Sequence, residues 1–286
     1  MSADWPTAAE WLAPAAAATS AAHSAPAATR PATAGLAVAG VPLVEGAVTP
    51  CRYDLTPAAV RARLARFSTF QGERGVHLPP VRDLGDSTAP PPLDAGLTVM
   101  IGGHNGVTFE ALRGLPDLSR WALLTLDAHH DVRPYGPGPP GNGSPVRALI
   151  DAGLPAAHVV QVGISQFANS PVHRRWCEEQ GIAIHGPGDV ALVPRLLDRL
   201  AEVAEHIYVD LDLDVLDRAF APGCPGSRPG GLTPRQVLDA AFAAGAHPAV
   251  RALDVVEVAA DLDVASITVD AAALCLLNAA AGFATR

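Results

Sequence analysis

Lysine is missing from this chain; all 20 of its basic side chains are arginine. That excludes Schiff-base chemistry on a lysine, as in pyridoxal enzymes, and the phosphate-loop lysine of P-loop nucleotidases. Cysteine is sparse. Cys51, Cys177, Cys224 and Cys275 lie far apart with no Cys-x-x-Cys pair, and they read as separate, reduced residues of a cytoplasmic protein. Excess positive charge is missing too: the net charge of −9 argues against a nucleic-acid partner. The N-terminus lacks the basic start of a signal peptide, and prolines interrupt its apolar stretch. The longest apolar segment, 264–283, is broken by Asp270 and Asn278. Charge is costly at mid-membrane, so this segment reads as a buried core helix.

Hydrophobic residues make up 49% of the 286, enough for one α/β domain with a large core. Residues 13–35 are rich in Ala, Pro, Ser and Thr without periodicity. Residues 1–35 are therefore taken as a mobile arm, with Trp5 and Trp11 as possible anchors, and 36–286 as the catalytic domain. From Leu36 onward, apolar runs alternate with amphipathic stretches. LAVAGV, LTVMI, ALLTLD, HVVQVG, IAIHG, HIYVDLD and VRALDVVEV predict strands. Helices are predicted near 57–67, 107–114, 144–152, 170–180, 189–204, 233–245 and 263–281, with Thr56-Pro57 and Thr233-Pro234 as helix starts. Such alternation predicts an α/β three-layer sandwich with a doubly wound, mostly parallel sheet. Ligands of such sheets bind beyond the carboxyl ends of the strands.

The chemistry is concentrated at those ends. WALLTL runs into Asp127-Ala128-His129-His130-Asp131, and HIYVDL runs into Asp212-Leu213-Asp214. If the strands continue that far, alternation turns Asp127, His129 and Asp131 one way and pairs Asp212 with Asp214, with His130 facing away. His104 follows LTVMI in the same kind of position. Together these are six candidate ligands, four of them carboxylates. Clustered carboxylates repel unless cations neutralise them, and two divalent ions sharing bridging Asp side chains would satisfy all six. With no Cys in either cluster, carboxylate and imidazole ligation suits manganese, with iron, cobalt or zinc as substitutes. Paired ions of this kind sit roughly 3.5–4 Å apart and bring a bound water's pKa toward about 7, which makes hydroxide available to a hydrolase.

The chain resembles the ureohydrolases, the family of arginases, agmatinases and formimidoylglutamases. The resemblance rests on Gly40-Val41-Pro42, the VRDLGD run at 81–86, Ile101-Gly102-Gly103-His104-Asn105, the Asp127–Asp131 cluster and Tyr208–Asp217. It extends through Ala221–Gly223, Gly230–Leu232 and Asp254-Val255-Val256-Glu257. It implies a dimanganese centre and hydrolysis of an amidine or guanidine C–N bond. It assigns His104, Asp127, Asp131 and Asp212 to one ion and Asp127, His129, Asp212 and Asp214 to the other, with Asp127 and Asp212 bridging. Glu257 matches the family's acidic residue that grips the cationic group. A homo-trimer or hexamer is expected on the same ground. The sequence departs from the family in three places: the usual Gly-Gly-Asp-His run reads Ile101-Gly102-Gly103-His104, Asp210 replaces a Ser or Thr, and Arg218 replaces a Pro.

Within the family, Asp131-Val132-Arg133-Pro134-Tyr135 is most similar to formimidoylglutamases. Arginases tend to have Asn in the slot of Arg133, which faces a substrate carboxylate, and a guanidinium offers carboxylates a planar fork. Asn142 stands where arginases and agmatinases often carry a proton-shuttling His. Asn142, Arg133 and Glu257 are the expected substrate contacts. Because an amide cannot shuttle protons, Asp214 or a metal-bound water is the expected donor to the leaving amine. The expected substrate is N-formimidoyl-L-glutamate. The alternatives are agmatine, a guanidino acid or arginine, each releasing urea, and a non-enzymatic, metal-stabilised binding protein.

Overall fold

Each of the predicted apolar runs becomes a strand of one sheet. The computed structural model describes residues 7–12 and 35–286. In chain order the elements are α1 (Ala8–Trp11), β1 (Leu36–Val41), α2 (Thr56–Arg63), β2 (Phe70–Gln71), β3 (Val76–His77), β4 (Val81–Asp86), β5 (Leu97–Gly102) and α3 (Gly106–Leu112). They continue as β6 (Trp121–Leu126), α4 (Pro145–Asp151), β7 (Val159–Val162), α5 (Pro171–Gln180), β8 (Ala183–His185) and α6 (Val193–Ala201). The last are β9 (His206–Asp212), α7 (Pro234–Ala246), β10 (Val250–Val256) and α8 (Ile267–Phe283).

Eight strands pair in the order β4-β1-β5-β10-β9-β6-β7-β8, all parallel. The central strands β1, β5, β6 and β7 are buried along their whole length. That is why they read as continuous apolar runs rather than alternating ones. Two apolar layers flank the sheet. One is filled from α2, α6, α7 and α8 through Val60, Leu197, Val237 and Leu276. The other is filled from α3, α4 and α5 through Leu112, Leu149 and Cys177. This is the predicted three-layer sandwich.

Helix α8 is the predicted core helix, and no helix among the described residues is long and apolar enough to cross a membrane. Its Asp270 is paired with Arg63 of α2 at 2.7 Å. Helix α8 packs on α7 closely enough that a Cβ on Gly245 would fall 2.0 Å from the Ala279 carbonyl oxygen. Thr233 caps α7 in a reciprocal box with Gln236, as predicted. Thr56 does not cap α2. It lies inside the helix, and its hydroxyl donates to the Val258 carbonyl oxygen instead.

The N-terminal segment is seated on the body where it is described. The Ala8 N–H donates to the Phe67 carbonyl at 2.8 Å, and the Trp11 indole donates to the Pro79 carbonyl at 2.6 Å. Ala8 and Leu12 belong to the core. Trp5 and residues 13–34 of the expected arm lie outside the described residues.

Candidate metal centre

Strand β6 stops at Leu126, so Asp127–Asp131 is a loop and strand alternation does not aim its side chains. The loop is shaped by its own hydrogen bonds. Asp127 accepts from the His129 N–H at 2.6 Å, and Asn169 holds the chain from outside by accepting from the His130 N–H and donating to the Ala128 carbonyl. Asp131 takes a left-handed backbone, φ 51°. The His130 ring turns to Gln161 at 2.6 Å, which in turn donates to the His130 carbonyl, so this buried pair locks the loop from below. Strand β9 ends at Asp212, and a short 3-10 turn, Leu213–Val215, brings Asp214 round beside it, its N–H donating to Asp212 at 2.8 Å.

The result is a cup of buried acids. Asp127, His129 and Asp214 offer ligand atoms all within 4.8 Å of one another, and so do Asp127, Asp131 and Asp212. Asp127 is common to both triads, as a bridging carboxylate must be. Asp212 falls in one triad only. Gly226 closes over Asp214 so tightly that a Cβ there would sit 2.1 Å from its Oδ2.

His104 does not join the cup. Its Nδ1 accepts from the Gly106 N–H at 2.9 Å, and its Nε2 faces the Glu45 carbonyl at 2.8 Å, so both nitrogens are engaged in the surrounding loops. The side chain that reaches the cup from this turn is Asn105, whose amide donates to Asp131 Oδ2 at 3.0 Å. Counted from Gly102 and Gly103, the ligand slot falls one residue further along than the sequence reading placed it. The ligand set drawn together is therefore one imidazole and four carboxylates.

This donor set fits divalent cations. Burial, then the neighbouring Asp214, pushes Asp127 up to about 7. Asp131 and Asp212 are driven well above the usual carboxylate range by burial and by the acids beside them. Asp127 Oδ2 has no hydrogen-bond partner among the described residues. Burial pulls the His129 ring down, but the carboxylates of Asp214 and Asp127 override it and push it to about 12. An imidazolium 2.8 Å from Asp214 thus supplies the one positive charge within the cup among the described residues, a role a bound cation would take over while needing that ring deprotonated.

Glu257 follows β10 in a left-handed conformation, φ 65°. Its Oε1 accepts from the Asn105 N–H and the Asn142 amide, each at 2.8 Å, and its Oε2 from the Tyr53 hydroxyl at 3.2 Å. Burial, with Asp214 adding to it, pushes its carboxyl up to about 7. A backbone held in this region costs on the order of 1–3 kcal/mol and persists where surrounding contacts over-determine it, as they do here. Asn142 also accepts from the Val48 N–H at 2.8 Å, so much of its amide is spent on holding this corner.

His129, Asp131, Asp212, Asp214 and Glu257 line a cleft whose wall also carries Arg133, Asn169, His173 and Arg228. Sequence reasoning missed Tyr53, Asn105, Asn169, His173 and Arg228. Asn105 adjoins the quoted Gly102-Gly103-His104 run and was within reach of it. Asn169 and Arg228 lie in loops, Tyr53 in a short 3-10 turn and His173 in the first turn of α5, with no local pattern that marks them as site residues. Cys224 is buried in the core and takes no part in the cleft.

One residue pair down the same face of the sheet lies a second acidic pair, Asp210 and Asp254, opposite each other on β9 and β10. Asp254 Oδ2 meets the hydroxyls of Tyr208 at 2.7 Å and Thr108 at 2.8 Å. Burial, then Asp254 beside it, pushes Asp210 well above the usual carboxylate range. This pair is sealed from the cleft.

A parallel sheet sandwiched between helices, with carboxylates and an imidazole gathered beyond its strand ends, defines the class: a three-layer α/β protein with a candidate divalent-cation centre. The chain belongs to the arginase family, whose model matches residues 89–282. It is 30% identical over 273 residues to the formimidoylglutamase of Halalkalibacterium halodurans, covering 85% of this chain and 86% of that protein. It is also 30% identical to the mitochondrial agmatinase of Gallus gallus, but over 147 residues, 49% of this chain and 43% of that protein. The crystal structure of formimidoylglutamase from Bacillus subtilis superposes with a TM-score of 0.85 at 25% identity, covering 99% of this chain and 94% of that one.

Proposed function

We propose that this protein is a binuclear manganese hydrolase that cleaves N-formimidoyl-L-glutamate into L-glutamate and formamide. The observation that carries the reading is the placement of an acidic cup directly beside Glu257. Asp127, His129 and Asp214 would hold one ion, and Asp127, Asp131 and Asp212 the other. When bound, two such ions supply Lewis-acid activation of water and bring its pKa toward about 7.

The remaining roles fall to the chain itself. Glu257 receives the N–H groups of the cationic amidine. Its two oxygens are aimed in advance by Asn105, Asn142 and Tyr53, so little ordering is left for the moment of binding. Its raised affinity for a proton marks a site short of positive charge, which an amidinium provides. Asp214 accepts the proton of the attacking water and returns it to the leaving α-nitrogen. One water is consumed, one C–N bond breaks, and the amidine carbon leaves as formamide. Arg133, in the cleft wall, orients a carboxylate. The enzyme acts as a cytoplasmic homo-oligomer.

The test is product formation by manganese-loaded protein. N-formimidoyl-L-glutamate is supplied with detection of glutamate and formamide, and agmatine, arginine and guanidino acids are supplied in parallel with detection of urea. Glutamate and formamide without urea is the expected result. Urea from a guanidine substrate would replace the substrate assignment while keeping the family.

A further inference from the structure

The cleft carries charges of both signs. Its floor is acidic, while two guanidinium groups, those of Arg133 and Arg228, stand in its wall. The arginines come from separate segments, one following the Asp127–Asp131 loop and one in the loop after the second acidic cluster. Both are exposed, and among the described residues neither is paired with any carboxylate, although four acids, Asp131, Asp212, Asp214 and Glu257, line the same cleft.

Each is held in place without being neutralised. The Arg133 N–H donates to the Gly143 carbonyl at 2.9 Å, and the Arg133 stem lies against Gly143, where a Cβ would fall 2.8 Å from its Cδ. The Arg228 carbonyl accepts from the Arg218 N–H at 3.1 Å. The Arg228 Nη1 donates back to the carbonyls of Gly226 at 2.8 Å and Ser227 at 3.1 Å. Those carbonyls belong to the turn that closes over Asp214, so the guanidinium is tied to the acidic cup through its own loop. Its Nε and Nη2 are left without a protein partner among the described residues. A guanidinium fixed on one side and open on the other is pre-organised for an anion. His173 stands in the same wall.

We propose that Arg228 is a specificity-determining residue that binds one substrate carboxylate while Arg133 binds the other, so that the cleft selects amidines bearing two carboxylates. This rests on the reading of the reaction given above and deepens it. A ligand with a cationic amidine and two carboxylates has the charge order of the cleft: its positive end meets Glu257, and each negative group meets one open guanidinium. A ligand with no carboxylate leaves both arginines unanswered, and one with a single carboxylate leaves one.

The experiment measures kcat and KM of the wild type, R228Q and R133Q on N-formimidoyl-L-glutamate and on its α-amide and γ-amide. On the diacid, R228Q is expected to raise KM by roughly 10- to 100-fold, the span of one hydrogen bond to a charged group. On whichever monoamide lacks the carboxylate that Arg228 faces, R228Q should add no further loss, and R133Q should show the same pattern with the other monoamide. An unchanged KM for R228Q on the diacid overturns the clamp, as does an equal rise on all three substrates. Failure of the wild type to turn over the diacid overturns the parent reading instead, and the clamp with it. A loss caused by disturbing the turn over Asp214 would fall on all three substrates alike and mainly in kcat, whereas the clamp predicts a KM rise confined to substrates that carry the matching carboxylate.

Discussion

Two acidic layers lie on one face of the same sheet, and their surroundings differ. Asp210 and Asp254 are sealed: Asp254 Oδ2 meets two hydroxyls, and burial and its neighbour push the Asp210 carboxyl well above the usual carboxylate range. Asp127, Asp131, Asp212 and Asp214, one step closer to the strand ends, have no comparable set of hydroxyls and open on a cleft. Burial raises the proton affinity of carboxyls in both layers; two hydroxyls reach the sealed one, and only the other opens on a cleft. A carboxylate's role here is set by what remains to meet its charge.

The comparison breaks most readily at the open layer. Asp127→Ala removes the group shared by both triads, and activity should fall by at least about 10²–10³-fold, the cost of deleting a central electrostatic contact. Wild-type protein should gain about 2.7 kcal/mol from manganese at a hundred times its dissociation constant. The variant should lose that gain in a thermal melt. An active variant with an intact manganese shift would remove Asp127 from the centre.

Glu257→Gln sharpens the contrast between holding cations and holding substrate. The amide keeps the shape but loses the charge, so kcat/KM should drop by about 10–100-fold. Stabilisation by manganese should persist, and its loss would place Glu257 among the ligands.

The smallest effect is expected in the sealed layer. Tyr208→Phe deletes one hydroxyl bonded to Asp254 and should cost about 1 kcal/mol in a denaturant melt. Manganese binding should be untouched. A weakened manganese shift would mean that the two layers are coupled and the sealed one is part of the site.

The sequence showed the buried strands well, because apolar runs bounded by turns leave few other structures open to them. It did not show β4 as a strand. That edge strand alternates between half-buried and exposed residues and carries the charges of Arg82, Asp83 and Asp86, so no apolar run marks it. The predicted helix at 189–204 divides into a 3-10 turn, Pro187–Leu192, and α6, with Pro194 in the first turn of the latter. In the site, Asp127, His129, Asp131, Asp212 and Asp214 were legible because they are dense and follow strands. His104 was misplaced because a turn of two glycines does not fix which of the next two side chains faces inward. Tyr53 and Arg228 were illegible for another reason: one reaches the cleft from a short 3-10 turn and the other from a loop, and only the folded chain shows where such connections end up.

The position of β10 also bears on how the protein is made. It lies between β5 and β9, so without it the sheet falls into two separate pieces, β4-β1-β5 and β9-β6-β7-β8. One piece carries Asn105; the other carries the acidic cup. The last strand of the chain to be synthesised is the one that joins them, and it also delivers Glu257. Parallel pairing between segments so distant in sequence closes slowly and late. Synthesis therefore makes both halves of the sheet before the strand that joins them, and that strand also brings Glu257 to the site.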